Sequence, residues 1–205
     1  MKNKVYILKR DFSHLFDMDE DAALLPFKGS DSIDYRMQGI QKFEIPDVLY
    51  FESNFEIIPE IDYPILDVCS VFVISTRMYE LLIEVGEFKH LIISVTMLDD
   101  SYSKNHFESN GTLKKEVTFN DKYVAVQFLE YTEAFDYEES EYSMGLAFPE
   151  EIGIISKIVL KNKQYPPVFR IEESTEYIFI TEEAKNKLLE NGIKGCIFEE
   201  VEVSD

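Results

Sequence analysis

Residues 168–203, VFRIEESTEYIFITEEAKNKLLENGIKGCIFEEVEV, constrain the fold more than any other stretch. Ile178, Phe179 and Ile180 read as a buried strand, and Thr181 stands where a helix N-cap belongs, its hydroxyl placed to accept from first-turn amides. Glu182 and Glu183 follow at the positive end of the helix dipole. Ala184 and Leu188 share one face, leaving Lys185, Asn186, Lys187 and Glu190 to solvent. Gly192 supplies a left-handed stop, from which Ile193 folds back onto Leu188. A second strand over 195–203 completes a strand–helix–strand unit.

The same pattern occurs earlier. With Ile74 aligned to Ile180, the pairs Ser75/Thr181, Leu82/Leu188, Ile83/Leu189, Glu84/Glu190 and Gly86/Gly192 fall into register without a gap. Met78, Leu81, Leu82 and Val85 form an apolar stripe at helical spacing, and residues 91–95 read as the following strand. Strand, cap, helix and glycine stop are common enough to arise by convergence. One offset that fits both cap and stop favours internal duplication. The expectation is an α+β protein of two similar sheet-plus-helix lobes, an N-terminal lobe over 1–111 and a C-terminal lobe over 112–205, packed as one unit.

Elsewhere, Val5, Tyr6, Ile7 and Leu8 predict a first strand, and Val48, Leu49, Tyr50 and Phe51 another. Apolar residues scattered among charges over 12–29 predict one or two short helices, and 29–39 reads as polar turn. Residues 115–119 and 123–131 predict a hairpin turning at Asn120 and Asp121. Asp17, Asp19 and Asp21 begin like a calcium loop, but Ala22 and Lys28 occupy the positions where that loop needs glycine and glutamate.

Forty acidic residues against twenty basic give a formal charge of −20. That balance disfavours a phosphate-binding surface, hence nucleic acid, and either serves solubility or favours a cationic partner. The apolar run near the N-terminus is too short for a signal peptide and no segment approaches a membrane span, so a cytoplasmic location is expected. With Cys69 and Cys196 the only cysteines, free thiols are expected.

The most acidic run lies over 129–156: Glu130, Glu133, Asp136, Glu138, Glu139, Glu141, Glu150 and Glu151, with no lysine, arginine or histidine. Such a run is ordinarily a solvated face. Interleaved with Tyr131, Phe135, Tyr137 and Tyr142, it also has the composition of a surface that anchors aromatics in a partner and surrounds them with charge.

The succession Val124-Ala125-Val126-Gln127-Phe128, Asp136-Tyr137-Glu138-Glu139-Ser140-Glu141, Ile158-Val159-Leu160, Val168-Phe169-Arg170-Ile171, Ile178-Phe179-Ile180-Thr181 and Gly192-Ile193-Lys194-Gly195-Cys196-Ile197-Phe198 resembles the bacterial polymorphic-toxin immunity proteins, families eleven and forty-three. The resemblance spans 124–203 and rests on order and spacing. It implies a cytosolic antidote encoded beside a toxin, one that binds and silences it and carries no catalytic residues.

Signals of enzymatic chemistry are absent from the sequence. His14, His90 and His106 have no second ligand at zinc spacing, and there is no nucleophile elbow, phosphate loop or dinucleotide fingerprint. His90, at the entry to a buried strand, is expected to be structural. No catalytic residue, metal or cofactor is assigned. Partner binding is assigned to Tyr131, Glu133, Asp136, Tyr137, Glu138, Glu139, Glu141 and Tyr142, with Glu199, Glu200 and Glu202 near the C-terminus. The expected partner is a basic toxin domain captured electrostatically. A non-catalytic scaffold for another basic protein is the alternative, and an enzyme with an acidic site the more remote one.

Overall fold

Residues 3–13, 20–68, 70–145 and 151–205 are described by the structure, a computed structural model. The strands are β1 (Val5–Arg10), β2 (Ala22–Leu24), β3 (Val48–Ser53), β4 (Phe72–Ser75), β5 (His90–Asp99), β6 (Phe119–Phe128), β7 (Glu141–Met144), β8 (Ile152–Lys157), β9 (Val159–Leu160), β10 (Val168–Ile171), β11 (Ser174–Thr181) and β12 (Cys196–Val203). Three α-helices accompany them: α1 (Ile33–Gln38), α2 (Thr76–Val85) and α3 (Glu182–Glu190). The class is α+β, with two five-stranded sheets, ordered β10-β11-β1-β12-β9 and β2-β3-β5-β6-β4, and the hairpin β7-β8. Among the described residues no helix is long and apolar enough to cross a membrane.

Local sequence accounts for α3 residue by residue. Thr181 Oγ1 accepts from the Ala184 amide, and Ala184 and Leu188 are buried. Gly192 adopts φ 64°, the Gly192 amide reaches the Leu189 carbonyl at 3.0 Å, and the Ile193 amide reaches the Leu188 carbonyl at 3.1 Å. These are the two bonds of a Schellman stop, with Ile193 buried beyond it. In α2 the Ser75 hydroxyl likewise accepts from the Met78 amide, but the helix ends differently. Gly86 has φ 169°, extended backbone rather than the left-handed stop of Gly192, and a Cβ there would lie 3.5 Å from Pro167 Cδ.

The two strand–helix–strand units share one pairing pattern. β1 lies between β11 and β12, antiparallel to both, and β6 lies between β4 and β5, antiparallel to both. Val5 sits opposite Thr181 and Val201, as Tyr123 sits opposite Ser75 and Val95. Leu8 sits opposite Ile178 and Phe198, as Val126 sits opposite Phe72 and Ile92. The shift in numbering that carries Ile74 onto Ile180 also carries Val95 onto Val201. In each sheet the outer neighbour of the last strand runs parallel to it, β3 beside β5 and β9 beside β12.

The sheets are not divided at residue 111. β1 forms the middle of the sheet otherwise built from residues beyond 158, and β6 is inserted between β5 and β4 in the sheet otherwise built from residues before 100. Each half lends its first strand to the other. The physical reason is that strand partners are chosen by long-range burial, which chain position does not reveal.

Both sheets are apolar on both faces. Tyr6, Leu8, Ile178 and Ile180 meet Phe72, Ile74, Val126 and Phe128 in a shared core with Met78, Leu81 and Leu82 of α2 and Ala184 and Leu188 of α3. Val5, Ile7, Phe179 and Val201 face a second cluster with Phe135 and Leu160, and Val73, Val95, Tyr123 and Ala125 face a third with Ile33 and Met37 of α1. Alternate residues of β1 and β6 therefore enter different cores, so residues 5–8 and 123–126 read as unbroken apolar runs.

Three other expectations require correction. The stretch over 29–39 forms α1, because Ile33 and Met37, one turn apart, are both buried. Ala22–Leu24 is a strand paired with β3, where short helices were expected; residues 14–19, with His14, Asp17 and Asp19, lie outside the described residues. Asp21 is buried and accepts from the Ile65 amide at 2.8 Å. Asn120 and Asp121 do not turn a hairpin: β6 runs through them, and the register against β5 passes from Met97↔Asn120 to Val95↔Tyr123, which places one extra residue on β6. The polar pair marks a β-bulge.

Candidate functional site: an acidic and aromatic turn beside an exposed hairpin

Residues 134–136 run antiparallel to β9, with the Asp136 amide donating to the Val159 carbonyl at 2.9 Å and the Lys161 amide to Ala134 at 2.8 Å. The chain then turns over 137–140 and enters β7. Two side chains fix that turn. Ser140 Oγ accepts from the Val159 amide at 2.9 Å and donates to the Val159 carbonyl at 3.1 Å. The Asp136 carboxylate accepts from the Ser204 hydroxyl and from the Glu138 and Glu139 amides, and these bonds hold it below the usual carboxylate range against the opposing effect of burial. Asp136 is thus occupied in holding the turn.

The turn presents Tyr137, Glu138 and Glu139 outward, and β7 continues with Glu141 and Tyr142, all exposed. Phe135, fully buried, anchors Tyr137 and Tyr142 edge-to-face at 5.0 and 5.7 Å between centroids, and the two tyrosines meet at 5.9 Å. The Tyr137 hydroxyl donates to Glu173 in the turn between β10 and β11. That bond, then burial and the charges of Glu173 and Glu172, push its phenol up to about 12. The two rings and Glu173 are therefore held by one another.

Lys157 on β8 is a cation beside this group. Its ammonium lies 2.8 Å from Glu202 Oε2, and that bond, together with the charges of Glu202, Glu141 and Glu139, raises its pKa. Glu202 is its bonded partner, and Glu141 and Glu139 act on it through their charge.

The remaining expected residues are dispersed. Val201 and Val203 point into a core, so the period of two places Glu199 on the same side of β12 as these valines and puts Glu200 and Glu202 on the other. Glu199 is paired with Lys9 of β1, and Glu200 lies exposed opposite Tyr6. Tyr131 is half-buried and donates to the Gln38 carbonyl at 3.0 Å, facing α1. Glu133 is exposed, and its backbone carbonyl receives Lys163 Nζ at 3.2 Å.

The structure adds residues that the sequence reading did not assign. Met144 and Ile154, 45% and 70% exposed, stand on β7 and β8 beside the turn, and Glu173 comes in from the β10–β11 turn. Gly145, a turn former ahead of Ile152, Ile154 and Ile155, was the sequence signal for a further strand here.

Elsewhere, titratable groups are bound into structure. His90 is held between the Phe88 carbonyl at 2.8 Å and the Tyr79 hydroxyl at 2.9 Å and stacks on Phe88. His106 is buried, with Nδ1 3.5 Å from Glu52 Oε1. A cleft of about 550 Å3 at the start of α2 is lined by Asp62, Arg77, Tyr123 and Lys194. There the Asp62 carboxylate accepts from Ser75 Oγ at 2.6 Å, Arg77 Nη2 at 2.7 Å and the Lys194 amide at 3.0 Å. Cys196 is a free, half-buried thiol that burial, then Asp62 and Asp11, push up to about 12; Cys69 lies outside the described residues. No protein-family model matches the sequence, and no curated protein matches it.

Proposed function

We propose that this chain is a cytoplasmic immunity protein, which binds and neutralises a basic toxin domain encoded beside it and catalyses no reaction. The observation that carries the reading is the fixed turn and its strand, which expose Tyr137, Glu138, Glu139, Glu141 and Tyr142 in close succession, with the two tyrosine rings in contact. Ordered aromatics contribute contact area at low entropic cost, and surrounding carboxylates accelerate encounter with a cationic surface. The same carboxylates repel phosphate, which argues against nucleic acid as the partner. The order of motifs over 124–203 supports the same assignment.

The test is protection and binding together. Cells producing the neighbouring toxin domain should survive when this chain is co-produced, and the purified pair should associate more slowly as salt rises. Failure to protect or to bind would remove the immunity reading. Protection with a salt-independent association rate would remove the electrostatic part alone.

A further inference from the structure

We propose that β7 is the edge to which the partner adds a strand, so that the toxin is held through backbone pairing along Glu141–Met144 as well as through the neighbouring carboxylates. This rests on the immunity reading and specifies its mode of contact. Strand β7 pairs with β8 on one side, and no strand among the described residues pairs with its other side. All four of its residues are exposed.

The direction of its backbone groups follows from one hydrogen bond. The Gly145 amide donates to the Glu151 carbonyl at 2.8 Å, toward the β8 side. Amides alternate across a strand, so those of Ser143 and Glu141 face β8, and those of Tyr142 and Met144 face the open edge. Two register shifts interrupt the hairpin, from Glu141↔Lys157 to Tyr142↔Ile155 and from Ser143↔Ile154 to Met144↔Ile152. Each places its extra residue, Ser156 or Gly153, on β8, so β7 itself stays regular.

β7 has no lysine, proline or bulge of its own to blunt its edge, and its one charge is Glu141, whose sign repels an acidic strand and admits a basic one. Its ends carry Glu138, Glu139 and Glu141 at one side and Met144 with Ile154 at the other. The fitting occupant is an extended segment of a basic protein, with lysine or arginine opposite the glutamates and an apolar residue opposite Met144. Backbone pairing would supply affinity, and the flanking side chains selectivity.

The test uses the full chain and the toxin domain encoded beside it. Amide exchange, read residue by residue by NMR, should slow at least about tenfold at Tyr142 and Met144 in the complex and change little at Ser143, whose amide is already directed at β8. In parallel, Met144→Ala removes the side chain and keeps the amide, whereas Met144→Pro also removes the amide at an edge position where proline is tolerated. Met144→Pro should lose at least about tenfold more affinity than Met144→Ala. A bound toxin that leaves exchange at Tyr142 and Met144 unchanged overturns strand addition while sparing the immunity reading. Equal affinities for the two variants do the same. If the wild-type chain does not bind the toxin, both fall. The exchange measurement needs no variant, so a misfolded Met144→Pro leaves the outcome decided.

Discussion

The Asp62 carboxylate accepts the backbone amide of Lys194 at 3.0 Å, across most of the length of the chain. The same group receives Arg77 at 2.7 Å and caps the region where α2 begins, through Ser75 at 2.6 Å. One side chain, 7% exposed, therefore joins the start of one helical unit to the end of the other.

Asp62→Asn should destabilise the fold by about 2–3 kcal/mol at neutral pH, the cost of weakening charged hydrogen bonds that are largely buried. Burial alone would raise the pKa of this carboxyl, but its bonds to Arg77, Ser75 and the Lys194 amide outweigh that and lower it below 3.8. The folded value lies below the unfolded one, so the contribution is complete above about pH 3.8 and is lost as pH falls through the folded value. Urea unfolding of wild type and variant should show a gap that is constant near neutrality and closes in strong acid.

Gly195→Ala should cost about 2 kcal/mol or more. The residue has φ 87°, and a Cβ would approach the Tyr63 carbonyl oxygen and Ile61 Cγ2, both at 2.7 Å. Gly111 has a similar φ of 83° with nothing within 4 Å, so Gly111→Ala should cost about 1 kcal/mol. Comparing the two melting curves separates the steric part from the backbone part.

Separately produced fragments 1–111 and 112–205 should each remain unfolded, because each lacks an interior strand of its sheet. Mixed, they should recover the far-ultraviolet dichroism and a cooperative thermal transition of the intact chain. A folded fragment on its own would show that β1 or β6 is dispensable.

Reversing Glu138, Glu139 and Glu141 to lysine should slow association with a basic toxin by about tenfold or more at low salt, with a smaller change in dissociation. Glu199→Lys should have less effect, since Glu199 lies outside the turn and β7 and already neutralises Lys9. Stopped-flow mixing measures both, and melting temperatures check that the fold survives.

How far the sequence was legible depends on the range of the determining contacts. The α3 unit could be read because its signals are local: Thr181 caps three residues ahead, and Gly192 and Ile193 close the helix one turn behind. The bulge at Asn120 and Asp121 resembled a turn because both use the same polar residues, and only the partner strand distinguishes them. The placement of β1 was illegible, since its neighbours lie near the opposite end of the chain. In the candidate site, the cluster from Tyr137 to Tyr142 was visible as composition. The separation of Glu199 from Glu200 and Glu202 was available from strand alternation, whereas the attachment of Tyr131 to Gln38 required the fold.

The lending of β1 to a sheet made by residues 159–203 has a consequence for synthesis on the ribosome. A nascent chain emerging from the exit tunnel holds an apolar segment whose two neighbours have not yet been translated. That sheet cannot close until the final strand is released, so Val5, Tyr6, Ile7 and Leu8 wait longest for their partners and the pairing is of high contact order, which slows folding. Products stalled after β6 would hold the sheet of β2 to β6 but leave the apolar residues of β1 without their partner strands.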